Sequence, residues 1–295
     1  MSSFAFLDTW ALVRYTKPDA YDHLSGWVHR TGLTVLVNSL SLIELYNPRG
    51  SQDDRCARVA RFLGRHSCAI VKSTRVFDTE LKAFPQSLSG LPIELDLNDI
   101  PAEHRVQALE LFLRRDRLYL QQGKDIKEWA AEYEKTKSEW SADVSKILEH
   151  ACKEGVLHRD RRGRLRDLAA SKEAFLQSLD LRHLTGLTRV ELEGLGPALV
   201  DLVTGGGTAK LPAIRTSSLC FWYAYVDTDP AFPMKRKGSD LGDFLQMSLL
   251  PYCTIFTADT TMDRMLKRIL SELPTSCTVL NRSEVEVLLQ SGKLP

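Results

Sequence analysis

Two short apolar runs near opposite ends of the chain each lead into an acidic residue. Phe4-Ala5-Phe6-Leu7 runs into Asp8, and Cys253-Thr254-Ile255-Phe256-Thr257 runs through Ala258 into Asp259. Runs this short cannot be buried helices and suit strands covered on both faces. A strand of that kind must be paired inside a sheet. The chain has 295 residues, so the simplest solution is one α/β domain assembled from both of its ends.

The first part of the chain keeps alternating between helix and strand. A helical stretch over 18–30 leads to Leu33-Thr34-Val35-Leu36-Val37, a second β-branched run. An apolar helical pattern containing Glu44 follows, then a helix over 53–65 and a third strand, Ala69-Ile70-Val71. Alternation at this spacing predicts a parallel sheet. From residue 101 to about 226 the sequence reads as helix after helix. The longest, over 125–152, carries Ile126, Trp129, Ala130, Tyr133, Trp140, Val144, Ile147, Leu148 and Ala151 at helical spacing, with Gly155 as its stop. Thr188-Arg189-Val190-Glu191 opens a further helix as a capping box, Gly205-Gly206-Gly207 ends it, and another run follows Pro212. Alternation then resumes with a helix over 261–273 and the strand Thr278-Val279-Leu280. The expected division is residues 1–85 and 235–295 for the α/β domain, with a predominantly helical insertion over 86–234.

Composition narrows the classes. Hydrophobic residues make up 43% and charged residues 26%, as in an ordinary soluble globular protein, and a net charge of +1 announces no polyanion partner. The six cysteines are scattered, with no C-x-x-C pair, which argues against a zinc site or a disulfide scaffold and favours reduced thiols in the cytoplasm. The N-terminus has no basic region, and Asp8 interrupts its apolar run, so neither a signal peptide nor a membrane span is expected.

The acidic residues share a setting. Asp8 follows the first strand, Glu44 lies on the helix after the second, and Asp259 follows the fourth, while Asp240 and Asp243 open the helix that leads into the fourth. In an open parallel sheet, strand C-termini and the helix N-termini after them gather along one edge. Carboxylates collected there repel one another unless a cation neutralises them. Mg²⁺ or Mn²⁺ suits an oxygen-only set and activates water for attack on a phosphodiester. Each acid also has a simpler use. Asp8, Asp240 and Asp259 fit helix N-caps, Ser41-Leu42-Ile43-Glu44 fits a capping box, and Asp243 fits a first-turn charge.

In order and spacing, Phe6-Leu7-Asp8-Thr9, Ser41-Leu42-Ile43-Glu44-Leu45, Asp240-Leu241-Gly242-Asp243 and Ile255-Phe256-Thr257-Ala258-Asp259 resemble the acidic signature of PIN-domain nucleases. The resemblance covers roughly residues 1–85 and 235–295. It implies a PIN-like parallel-sheet α/β/α sandwich with a helical insertion, and an Mg²⁺- or Mn²⁺-dependent endonuclease acting mainly on RNA to leave 5′-phosphate and 3′-hydroxyl ends. Asp8, Glu44, Asp240 and Asp259 are then the catalytic acids and metal ligands, Asp243 an accessory ligand, and Thr257 a partner for a carboxylate or substrate. The family's toxin-type and RNA-processing members make an antitoxin or other protein regulator, and a homodimer, further expected partners. Trp10 departs from the pattern, standing where a small residue is common, and is expected to narrow the site.

Lys235-Arg236-Lys237 directly precedes Gly238-Ser239-Asp240, placed either to grip a phosphate backbone or to form a solvated loop. The basic run from His158 to Arg166 offers the same pair of readings. Arg114-Arg115-Asp116-Arg117 reads as a charged outer helix face, and Trp129, Tyr133 and Trp140 as core rather than base-stacking residues. Two rival functions remain. A phosphohydrolase of the haloacid-dehalogenase type also uses an aspartate after its first strand, but it wants a second acid where Trp10 stands. A binding module on the same fold, without catalysis, is the other.

Overall fold

The computed structural model describes residues 4–45, 53–71, 76–77, 80, 95–96, 102–114, 126–157, 172–176, 211–227, 240–273 and 275–292; the side chains of 53, 95, 96, 102, 111–114, 126, 127, 129 and 240 lie outside that description. The strands are β1 (Phe4–Phe6), β2 (Thr34–Asn38), β3 (Cys68–Val71), β4 (Leu95–Asp96), β5 (Ile255–Thr257) and β6 (Thr278–Leu280). They form one sheet in the order β4-β3-β2-β1-β5-β6. Five run parallel, and β4 pairs antiparallel at the edge, where sequence alone offered no strand. The chain is therefore mixed α/β, with its central strand supplied by the N-terminus and that strand's neighbour supplied from residue 255 onward.

Side chains alternate between the two faces as the period of a strand requires. Ala5, Val35, Val37, Ile70 and Ile255 enter a core on one face, while Phe4, Phe6, Leu36, Ala69, Phe256 and Val279 enter a second core on the other. Phe6 pairs with Leu36 and with Phe256, and the rings of Phe6 and Phe256 stack at 4.4 Å.

On the first face lie α1 (Thr9–Tyr15), α2 (Pro18–Thr31), α3 (Ser39–Leu45), α4 (Asp53–Arg65) and α10 (Arg282–Ser291). Pro at the start of α2 costs no hydrogen bond, and Gly32, with φ of 64°, ends it in the left-handed conformation. Helix α5 (Ala102–Arg114) packs on α4, so closely that a Cβ at Gly64 would stand 2.8 Å from the Val106 backbone nitrogen.

On the second face lie α7 (Pro212–Phe221), which runs into a π-turn over Trp222–Val226, then α8 (Asp240–Met247) and α9 (Thr260–Leu270). Buried Glu80 accepts from the amides of Ala213 at 2.6 Å and Ile214 at 3.2 Å, capping α7, and also accepts from the Tyr252 hydroxyl.

The long helix α6 (Ile126–Lys153) joins both layers. Ala130 and Tyr133 pack against the first core, whereas Trp140, Val144, Ile147, Leu148 and Ala151 pack against the second. Its 28 residues span about 42 Å at ~1.5 Å per residue, enough to cross the sheet edge. Among the described residues no helix is long and apolar enough to cross a membrane, and none of the six cysteines forms a disulfide.

Candidate active site

The strand order reverses between β1 and β5: from β1 the chain goes on to β2 on one side, and from β5 to β6 on the other. The crevice at the C-terminal ends of two such strands is where open α/β sheets bind ligands. Asp8 and Asp259 stand on its two sides. Asp8, in extended backbone, caps α1 and accepts the Thr9 amide at 2.7 Å. Asp259, also extended, caps α9 and accepts the Met262 amide at 2.8 Å. The capping use of both is therefore real. Both caps engage Oδ1, so capping and a shared site are compatible.

Thr257 joins the two sides. Its hydroxyl receives the Asp8 amide at 2.8 Å and donates to the Phe6 carbonyl at 3.3 Å. Helix α8 adds Asp243 from the second face. Asp8, Asp243, Thr257 and Asp259 line one cleft, with Gln246, Met247, Phe256 and Met262 among its other walls. The cavity volume is about 20 Å³, room for a water or a small ion and too little for a nucleobase.

Glu44 comes from the first face. Asn38 is wholly buried, and its Oδ1 accepts the Leu40 amide at 2.9 Å, so α3 starts directly at the end of β2. Glu44 near the end of α3 then accepts from the Thr9 hydroxyl. The capping box predicted over Ser41–Glu44 does not form, because α3 already begins at Ser39 and Glu44 is drawn to α1. The Ser41 hydroxyl is buried without a hydrogen-bond partner among the described residues.

These carboxylates are held at an electrostatic cost. Burial, then the charges of Glu44 and Asp259, push the Asp8 carboxyl up to about 7, against the pull of the Thr9 amide. Glu44 is exposed at its surface, yet desolvation by the surrounding protein raises its pKa, opposed by the Thr9 hydroxyl and the Lys137 ammonium. An apolar or amide side chain would avoid both penalties, and a cation in the cleft would relieve them.

Some of the predicted set is brought together and some is not described. Asp8, Asp243, Asp259 and Thr257 share the cleft, with Glu44 beside Asp8. Asp240 opens α8, but its side chain lies outside the described residues, as do Lys235, Arg236, Lys237, residues 115–117, the His158–Arg166 run, the capping box at Thr188 and Gly205–Gly207. Trp10 does not narrow the site. Its ring packs against the first core, edge-on to Tyr15 at 6.1 Å, because position 10 in α1 faces away from the cleft. Trp140 is a core residue, donating to the Tyr225 hydroxyl at 3.1 Å beside Phe221 and Phe244.

Tyr133 and Lys137 of α6 were not singled out as site residues, yet both stand near Glu44. The available signal was a tyrosine on an otherwise apolar stripe and a glycine placed between two aspartates.

Among the described residues no group of three His, Cys, Asp or Glu side chains is arranged to hold a metal ion. The donor chemistry nonetheless fits Mg²⁺ or Mn²⁺. It is oxygen only, includes carboxylates from three separate elements, and borders a cavity of ionic size. No family model matches the chain, and neither does any curated protein or solved structure.

Proposed function

We propose that this chain is a divalent-metal-dependent endoribonuclease on a PIN-like domain, hydrolysing phosphodiester bonds at the cleft between β1 and β5. The observation that carries the reading is the convergence of Asp8, Asp243 and Asp259 with Thr257 on one small cleft at the reversal point of the sheet. Their positions in the chain are far apart, and helix capping alone would not require three acids to border the same cavity.

Asp8, Asp259 and Asp243 would hold the cation, with Asp240 and Glu44 completing the set. A bound Mg²⁺ or Mn²⁺ supplies a water activated for attack and positive charge against the phosphate. The rest falls to the protein's own groups. Thr257 fixes the Asp8 backbone, and so the direction of its carboxylate. Glu44, oriented by the Thr9 hydroxyl, takes the proton released by the attacking water. Hydrolysis would add the water oxygen to phosphorus and break the bond to the 3′ oxygen, which takes a proton from solvent, leaving a 5′-phosphate and a 3′-hydroxyl. Lys235, Arg236 and Lys237 are assigned to the substrate backbone, because in sequence only Gly238 and Ser239 separate them from α8.

The test is cleavage of a panel of structured and single-stranded RNA and DNA with Mg²⁺, Mn²⁺ or EDTA, with an Asp8→Asn/Asp240→Asn variant as control. Metal-dependent RNA cleavage lost in the variant supports the reading. Binding of RNA without cleavage under any metal would instead identify a binding module.

A further inference from the structure

The helix that crosses the sheet edge meets the acidic site at one point. Tyr133 of α6 reaches α8 between Asp240 and Asp243. Its phenol oxygen lies against the backbone at Gly242, in the first turn of α8, where helix amides have no partner within the helix. The approach depends on glycine. A Cβ at position 242 would stand 2.5 Å from Tyr133 Oη, 3.6 Å from Cζ and 3.7 Å from Glu44 Oε1. One phenol oxygen is therefore wedged against the bare backbone of the aspartate-bearing helix, with the Glu44 carboxylate alongside.

The neighbouring groups set its protonation state. Burial, then Glu44, Asp243 and Glu134, raise the Tyr133 pKa well above the ordinary value, so the group remains a phenol at neutral pH. Lys137, one turn further along α6, lies 5.6 Å from the centre of the Tyr133 ring, pairs with Glu134 at 3.0 Å and draws Glu44 toward its charged form. The N-terminal half of α6 is anchored on the first core and its C-terminal half on the second. Residues 133–137 are thereby held at the crossing.

We propose that α6 completes the acidic site, with Tyr133 as a positioning residue that holds α8 and its aspartates in register with Glu44. This rests on the nuclease reading above, and it gives the helical stretch between β4 and β5 a part in the chemistry. The phenol touches neither substrate nor the reacting atoms. Its effect runs through the spacing of acids delivered from opposite faces of the sheet, α3 on one and α8 on the other. Groups that orient metal-binding side chains in this way change metal affinity by about 10- to 100-fold when removed.

The experiment measures Mn²⁺ affinity by calorimetry, together with kcat and KM on an oligoribonucleotide and thermal midpoints. It compares wild type, Tyr133→Phe, Gly242→Ala and the double variant. Tyr133→Phe is expected to weaken Mn²⁺ binding by about tenfold or more and to lower kcat while leaving KM nearly unchanged. Gly242→Ala is expected to do the same by expelling the phenol oxygen. Because Tyr133→Phe removes the atom that the new Cβ would strike, the double variant should be no worse than Tyr133→Phe alone. A purely structural tyrosine would lower the thermal midpoint and leave the Mn²⁺ affinity of the folded protein unchanged, which overturns the proposal while the nuclease reading stands. Wild-type protein that binds no Mn²⁺ overturns that reading, and the proposal with it.

Discussion

Asp8 and Thr257 stand 249 positions apart in the chain, and the amide of Asp8 donates to the hydroxyl of Thr257 at 2.8 Å. The same hydroxyl donates to Phe6, so one buried side chain closes the first strand's exit onto the fifth strand. Thr257→Val keeps the shape and removes both bonds, leaving the Asp8 amide unpaired. The expected cost is about 1–3 kcal/mol in urea unfolding, with Thr257→Ser close to wild type. Equal stability of the valine and serine variants would contradict the role given to the hydroxyl.

Asp8 is held where burial and two neighbouring carboxylates oppose its charge. Asn at this position keeps an oxygen for the Thr9 amide and loses the repulsion. In EDTA at neutral pH, Asp8→Asn should therefore melt at or above the wild-type temperature. Added Mn²⁺ should raise the wild-type midpoint, since a ligand that binds only the folded state stabilises it, and should leave Asp8→Asn unmoved. Scanning calorimetry at several Mn²⁺ concentrations checks both, and an equal Mn²⁺ response in the two proteins would count against Asp8 as a ligand.

Glu80 gives a pH dependence away from the cleft. Burial pushes its carboxyl from 4.5 up to about 7, against the Tyr252 hydroxyl and the two amides it caps. A raised folded-state pKa favours the folded state fully below pH 4.5, where the group is protonated whether the chain is folded or not. That contribution is lost as pH rises through about 7. Relative to Glu80→Gln, wild type should lose about 3 kcal/mol of stability between these limits. Parallel stability–pH curves for the two proteins would refute it.

Gly64 lies where α4 meets α5. A Cβ there would stand 2.6 Å from Val106 Cγ2 and 2.9 Å from its Cα, so backbone rather than a flexible side-chain end would have to move. Gly64→Ala should cost about 1–3 kcal/mol and speed amide exchange in α5 before the sheet is affected. Unchanged exchange in α5 would contradict so close a contact between α4 and α5.

Much of the sheet was legible because its strands are short, apolar and bounded by helices of clear period. β1, β3 and β6 fall within a residue of their expected spans, and α6 at Ile126–Lys153 is displaced by one. β5 is shorter than the run from Cys253, because a 3-10 turn over Leu250–Tyr252 holds the Cys253 amide on Leu250. β4 was illegible, since two residues carry no period. Within the site, Asp8 and Asp259 could be read from their place after apolar runs. The Glu44 partner could not, because it depends on how α1 and α3 pack, and local spacing favoured a capping box instead. Tyr133 was hidden for a related reason. Its i, i+3, i+4 position reads as core, and only the crossing of α6 over the sheet edge brings its hydroxyl to Gly242.

The most direct test of the central claim is the initial rate of RNA cleavage at saturating Mn²⁺ by wild type and by Asp8→Asn, on samples whose folding is checked by melting. Cleavage by wild type that EDTA abolishes, with a rate reduced by about 10²-fold or more in a fully folded Asp8→Asn, is the expected result. Equal rates in the two folded proteins, or cleavage that persists in EDTA, would contradict a metal-dependent site built on the acids between β1 and β5.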